Sequence, residues 1–484
     1  MKGDAGLCAR KGIPSLLVNM NYQEFLKTKE LQTIEAGFDV DRNDICPMAF
    51  DFQKDIIQWA CKKGKAAVLI GCGCGKTIIS LSWAELVYKH TGGDILIVAP
   101  LSVVDQTRRE ADKFHLMSVN ICRTQEDVKP GINITNYEMA EHFDHQHFVA
   151  VVLDEASILK GFTSKTTVNF TQWFCRTPYK LLLSATLAPN SYIEFGTSCE
   201  FLGIMSRTEM LATYFVHDSG RTSDWRLKKA AKQKFWEWLA TWAIYFENPN
   251  ELGYEVDGFD LPELRMHTII TESKVKEGEL IVRPAETLEE RREARKESIE
   301  DRTNKALELI NNSDPNETWL CWVDYNDESS VLHKKIKGSV EVKGSDDPEF
   351  KAQASIDFAD KKIRCLVSKS SIFGFGSNFQ SNHQQIFVGL SDSMERTYQA
   401  IRRSWRFGQK QPVDIYIILS ERELNVLDNI NKKQAQMDEM QKQMTALMKE
   451  VTISEIRHTT RITTEYKKID NIVIPEWLKG KNNA

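Results

Sequence analysis

The sequence predicts an α/β protein: two tandem, doubly wound lobes with mostly parallel sheets, a helical insertion and linker between them, and a long helix at the C-terminal end. Two series of short apolar runs, separated by helical patterns, carry this reading. The first falls at residues 66–70, 95–99, 132–135, 149–153 and 180–183, the second at 318–323, 340–342, 363–367, 385–388 and 413–419. Unbroken rather than alternating runs mark strands covered on both faces, and interleaved helices mark parallel sheets. A chain of 484 residues has room for two or three such domains.

Taken in order, residues 1–45 read as an N-terminal accessory segment and 46–224 as the first lobe. Residues 225–305 are of another kind. Four tryptophans fall within 225–242 in a helical pattern, with Trp236 and Trp238 expected in a core, and 284–302 is dense in Glu and Arg. Mixed signs at helical spacing predict a solvated linking helix, with a nucleic-acid-facing arm as the sharper alternative. Residues 306–422 form the second lobe. In 423–484 a polar helix runs to about residue 450, with Met437, Met440, Met444 and Leu447 in a one-sided stripe that packs back on the lobes or meets a partner.

Composition is that of a globular protein, 42% hydrophobic and 27% charged. A net charge of −5 neither suggests nor excludes nucleic acid, which needs only a local basic groove. The ten cysteines include no CxxC pair and no zinc spacing, so free thiols in a reducing, cytoplasmic compartment are expected. No apolar stretch approaches the ~18 residues of a membrane span.

The strongest local signal is Gly71-Cys72-Gly73-Cys74-Gly75-Lys76-Thr77, between an apolar run and a helical pattern. Glycines let backbone N–H groups curl around a phosphate at a helix N-terminus. Lys76 would supply charge to the β and γ phosphates of ATP, and Thr77 a hydroxyl for Mg²⁺. Ile70 stands where the general pattern has its first glycine; Cys72 and Cys74 read as small fillers. Next, Asp154-Glu155 ends an apolar run, placing Asp154 for Mg²⁺ and Glu155 for the attacking water. Ser184-Ala185-Thr186 ends another, where hydroxyls can sense the γ-phosphate or hydrogen-bond the acidic pair. Finally, residues 399–409 (QAIRRSWRFGQ) put Arg403 and Arg406 three apart on one helical face, able to reach a γ-phosphate from a second lobe, with Gln399 beside them.

With these motifs in order, the chain resembles the superfamily two helicases, most closely the Swi/Snf-like branch and its phage or prophage DEAD/DEAH-box members. The resemblance spans about residues 50 to 420 and implies two RecA-like lobes. Gln53 looks like the adenine-recognising glutamine, Val98-Ala99-Pro100-Leu101-Ser102-Val103-Val104 is similar to motif Ia, Thr135-Asn136-Tyr137-Glu138 to motif Ib, and residues 374–380 to motif V; Lys160 stands where that branch tends to carry a lysine. Departures are Ser157 after the acidic pair, Ser-Ala-Thr as motif III, a motif V without its doubled glycine, and Trp405 where many relatives have His.

The resemblance implies a nucleic-acid-stimulated ATPase, with ATP and Mg²⁺ as cofactors, that translocates on duplex DNA without separating strands, inside a bacterial host cell if phage-encoded. Expected backbone contacts, independent of sequence, are Pro100, Leu101, Ser102, Thr135 and Asn136 against Gly376, Ser377 and Asn378. A strand-separating DNA or RNA helicase, a P-loop kinase, a restriction-type motor subunit and a non-hydrolysing clamp stay open. A protein partner could dock on the N-terminal segment or the C-terminal helix.

Overall fold

The computed structural model describes residues 37–185, 191–217, 225–273, 282–373, 377–391 and 393–456. Most of the N-terminal segment, Thr186, Gly376 and the tail after residue 456 lie outside them.

The first lobe contains strands β1 (Lys65–Ile70), β2 (Ile95–Ala99), β3 (Val119–Ile121), β4 (Ile132–Asn136), β5 (Ala150–Asp154) and β6 (Tyr179–Ser184), a hairpin of β7 (Phe215–His217) and β8 (Trp225–Leu227), and β9 (Ala243–Phe246). Its helices are α1 (Asp51–Lys63), α2 (Lys76–Thr91), α3 (Leu101–Lys113), α4 (Lys165–Trp173), α5 (Phe195–Leu202), α6 (Arg207–Tyr214) and α7 (Lys232–Ala240). Seven strands pair in parallel in the order β3-β4-β2-β5-β6-β1-β9. Along β1, Ala66, Val68 and Ile70 enter one core while Ala67 and Leu69 enter the other. Both faces are thus covered, which is why the run reads as unbroken apolar sequence.

The second lobe holds β10 (Leu264–Thr271), β11 (Trp319–Val323), β12 (Ser339–Val342), β13 (Cys365–Lys369), β14 (Gln384–Val388) and β15 (Val413–Ser420), in the parallel order β10-β15-β14-β11-β13-β12. Around it lie α8 (Leu288–Glu297), α9 (Ile299–Asn312), α10 (Asn326–Lys335), α11 (Pro348–Ala359), α12 (Ser370–Phe373) and α13 (Met394–Ile401), followed by α14 (Leu424–Ile456). Leu320 and Trp322 face one core, Cys321 and Val323 the other.

The stretch 225–305, expected as a helical insertion and charged linker, gives an edge strand to each sheet. β9 pairs with β1, and β10 with β15. Trp236, Trp238 and Trp242 are buried in the first-lobe core, as expected of Trp236 and Trp238. The linking helix, in contrast, is not simply solvated. Arg295 and Arg302 are buried: Arg295 pairs with Glu423 at 3.2 Å and Asp324 at 3.0 Å, and Arg302 with Glu328 at 2.8 Å. Buried charge is tolerated here because each cation has its partner.

α14 crosses between the lobes over about 50 Å. Val426 and Ile430 near its start join the second-lobe core, and Met444 and Met448 join the first. Met444 of the expected stripe is therefore covered within the chain; the side chains of Met437, Met440 and Leu447 lie outside the description.

Candidate nucleotide site and interlobe cleft

The chemistry-bearing motifs of the first lobe sit at the carboxyl ends of β1, β5 and β6, neighbours in the order β5-β6-β1. β1 stops at Ile70 and α2 starts at Lys76. Gly75 caps α2 at φ 83°, a left-handed conformation costly for any residue with a Cβ. Gly71 lies so close to the Glu247 carbonyl that a Cβ would clash, and Gly73 packs against the backbone of Phe407 from the second lobe. Lys76 Nζ donates to the carbonyls of Ile70 at 3.1 Å and Gly71 at 3.4 Å, and so lies over the loop at the helix mouth, next to Thr77.

Gln53 braces this loop from behind. Its Oε1 accepts from the Phe50 N–H at 2.9 Å and its Nε2 donates to the Cys74 carbonyl at 3.0 Å. Among the described residues these two bonds leave one amide hydrogen and one lone pair of Gln53 unused.

Asp154 ends β5, and Glu155 follows at φ 59°, a backbone geometry that is strained for a non-glycine residue. Two hydroxyls hold the strained residue: Ser157 Oγ and Ser184 Oγ each donate to Glu155 Oε1 at 3.0 Å. Ser157, in the coupling position of the acidic box, and Ser184, of the Ser-Ala-Thr segment, therefore meet on one carboxylate. Burial and then the Glu155 charge push Asp154 up to about 6, and burial also raises Glu155.

The second lobe comes to this face through α13 and the turn after it. Gln399 Nε2 stands 3.4 Å from Glu155 Oε2. Arg403 is engaged at all three nitrogens, donating to the Gln399 carbonyl at 2.9 Å, to Gln399 Oε1 at 3.2 Å and to the Ser377 carbonyl at 3.2 Å. Arg406 also donates to the Ser377 carbonyl, at 3.3 Å, but its buried Nε has no partner among the described residues. Burial and the Arg403 charge pull the Arg406 pKa down to about 10. This is a cation held with less compensation than water would give.

These residues fit a nucleotide with a hard cation. Thr77 and Asp154 are oxygen donors of the kind Mg²⁺ takes, and Asp154 is a carboxylate short of counter-charge. Among the described residues no three His, Cys, Asp or Glu cluster as a metal cage.

Beside this site a cleft of about 2010 Å³ opens between the lobes, lined by Glu155 and Ser157 at the nucleotide end. Pro100, Leu101, Ser102, Thr135 and Asn136 line it from the first lobe, and Ser377 and Asn378 from the second. Leu101 is 70% exposed. Thr135 is buried and its hydroxyl has no partner among the described residues, whereas Asn136 Oδ1 is occupied by the Met139 N–H. Ten Lys and Arg side chains line the cleft against five Asp and Glu, where the whole chain has 63 against 68. Lys160 makes an ion pair with Glu395 across it.

Residues 52–217 match the model of the SNF2-related domain. A similar solved structure is described as the Sulfolobus solfataricus SWI2/SNF2 ATPase core in complex with dsDNA; it is 14% identical over 86% of this chain and 98% of its own, with a TM-score of 0.41. No curated protein matches the chain. No helix among the described residues is long and apolar enough to cross a membrane.

Around the phosphate loop the structure adds residues that sequence reading had not singled out. Arg402 lies 3.0 Å from Glu247, and Gln441 of α14 donates to the same carboxylate at 3.0 Å. Phe407 is wedged among Phe50 and Phe259, with centroids at 6.2 and 4.6 Å. Arg402 and Phe407 were within reach of the sequence, since both fall inside the arginine segment. Glu247 carries no motif signal, and only its position at the end of an apolar tetrad could have pointed to it.

Proposed function

We propose that this chain is an ATPase that couples hydrolysis to translocation along duplex DNA. One observation carries the reading: a single cleft, rich in basic side chains, is lined by Glu155 at one end and by Leu101, Thr135, Ser377 and Asn378 along its walls. A polymer in that cleft would touch both lobes and lie within reach of the hydrolytic carboxylate.

In this reading the P-loop amides and Lys76 hold the β and γ phosphates. Thr77 and Asp154 hold Mg²⁺, which when bound neutralises phosphate charge. Glu155, fixed by Ser157 and Ser184, orients the attacking water and takes its proton. Arg406 meets the γ-phosphate, and Arg403 positions Gln399 and Ser377. Ser377 couples the two functions, because its carbonyl receives both arginines while the residue itself lines the cleft. Contacts by hydroxyls and cations to phosphate read no sequence, so binding is general and salt-sensitive. Opening and closing of the lobes then moves the strand by a hinge-type switch.

The deciding experiment is steady-state ATPase without polymer and with single-stranded DNA, duplex DNA or RNA, beside Lys76→Ala. Strong stimulation by duplex DNA, lost in the variant, is expected. A high rate independent of polymer would refute the reading.

A further inference from the structure

We propose that α8 (Leu288–Glu297) is a phosphate-backbone-binding wall of the cleft, gripping the nucleic acid through Arg291, Arg292 and Lys296. The inference rests on the cleft being the nucleic-acid path, and adds to it an element outside every helicase motif.

The helix sorts its charges by face. Its sequence, LEERREARKE, holds four cations and four glutamates. All four cations line the cleft, and none of the glutamates is among the lining residues. Arg292 and Lys296 are four apart, as are Arg291 and Arg295, so the cations form one ridge. Two of the glutamates are used elsewhere, Glu297 lying 3.7 Å from Arg422. Glu290 closes the N-terminal cap, accepting from the Glu286 and Thr287 N–H groups at 2.8 and 3.0 Å. Like charges on one ridge repel, so the arrangement makes physical sense when an anion faces it.

The rotation of the helix is fixed from inside the lobe. Arg295, on the same ridge, turns inward and is buried, with Glu423 at 3.2 Å and Asp324 at 3.0 Å. That lock leaves Arg292 and Lys296 exposed toward the cleft, and Arg291 partly so, with one Nη2 on the Glu286 carbonyl at 3.1 Å. Other walls bring further cations, Arg108 and Arg109 from α3 and Arg396 from α13. A ligand bordered by cations on several walls carries repeated negative charge along its length, which is the chemistry of a phosphodiester backbone.

The test is fluorescence anisotropy of a labelled duplex DNA with the full chain over a salt series, comparing wild type with Arg292→Ala/Lys296→Ala and with Arg292→Lys. The double variant should bind about tenfold more weakly, with the slope of log K against log salt reduced by roughly 1 to 2, near 0.9 per lost phosphate contact. Arg292→Lys should keep the slope, and polymer-free ATPase should be unchanged in both. Unchanged affinity and slope in a double variant, beside a wild type that binds, would overturn the role of α8 and leave the path standing. Weaker binding at an unaltered slope would also overturn it, since no phosphate contact would have been lost. Absence of duplex binding by the wild type would overturn both readings.

Discussion

The guanidinium of Arg402, on the second lobe, lies 3.0 Å from the carboxylate of Glu247, on the first, at the back of the phosphate loop. Gln441 of α14 holds the other carboxylate oxygen at 3.0 Å, and the rings of Tyr398 and Trp405 lie 5.3 and 4.8 Å from the guanidinium carbon. Removing one member strands the other in a place poor in water. Arg402→Met or Glu247→Met alone should cost about 3 kcal/mol, the low end for a buried pair because the Glu247 side chain keeps 22% exposure. The double variant should cost clearly less than the sum. Denaturant unfolding of the three variants measures this, and strictly additive penalties would show that the two groups are not coupled.

Arg403 and Arg406 should separate by phenotype. Among the described residues Arg403 makes three hydrogen bonds within its own lobe, whereas Arg406 makes one and its Nε has no partner. Arg406→Ala should lower the DNA-stimulated kcat by about 10³ or more at little cost in melting temperature. Arg403→Ala should lower both. Full stimulated turnover in Arg406→Ala would contradict a two-lobe site.

What the sequence made legible is what local chemistry dictates. Strands covered on both faces read as apolar runs, and the glycine pattern at Gly71 and Gly75 is required by close approach and by a left-handed cap. β10 escaped because it is an edge strand with alternating exposure, and β9 because its four apolar residues follow an aromatic helix without a break signal. Glu247 and Arg402 are 155 positions apart, and no pattern in one segment names a partner in another. The ridge on α8 was ambiguous for a related reason: eight mixed charges look solvated until the cleft shows which four it faces.

α14 should matter to the first lobe although it follows the second. Met448 is fully buried and Met444 is 3% exposed, both in the first-lobe core beside α7 and β9. Met448→Ala should leave a cavity and cost about 2–5 kcal/mol. The loss should appear as earlier amide exchange in α7 and β9, with the second-lobe sheet unchanged. Uniform protection in the variant would mean that the helix only rests on the lobe.

Lys180 gives the fold a pH signature away from the nucleotide site. Its ammonium is buried under the first lobe, donating to the Phe201 carbonyl at 2.7 Å and lying 5.0 Å from the centre of the Phe201 ring. Burial, helped by the neighbouring Lys65 charge, lowers its pKa from 10.5 to about 8. The unfolded chain therefore binds a proton between about pH 8 and 10.5 that the folded chain has released. In that window the group's contribution to stability rises with pH, by at most about 1.4 kcal/mol per unit, and below it the contribution is flat. Lys180→Met removes the titration and with it the cost of burying the charge. The difference in unfolding free energy between variant and wild type should therefore be largest near neutral pH and shrink steadily above pH 8. A difference that stays constant from pH 7 to 10 would mean that Lys180 keeps its proton when folded.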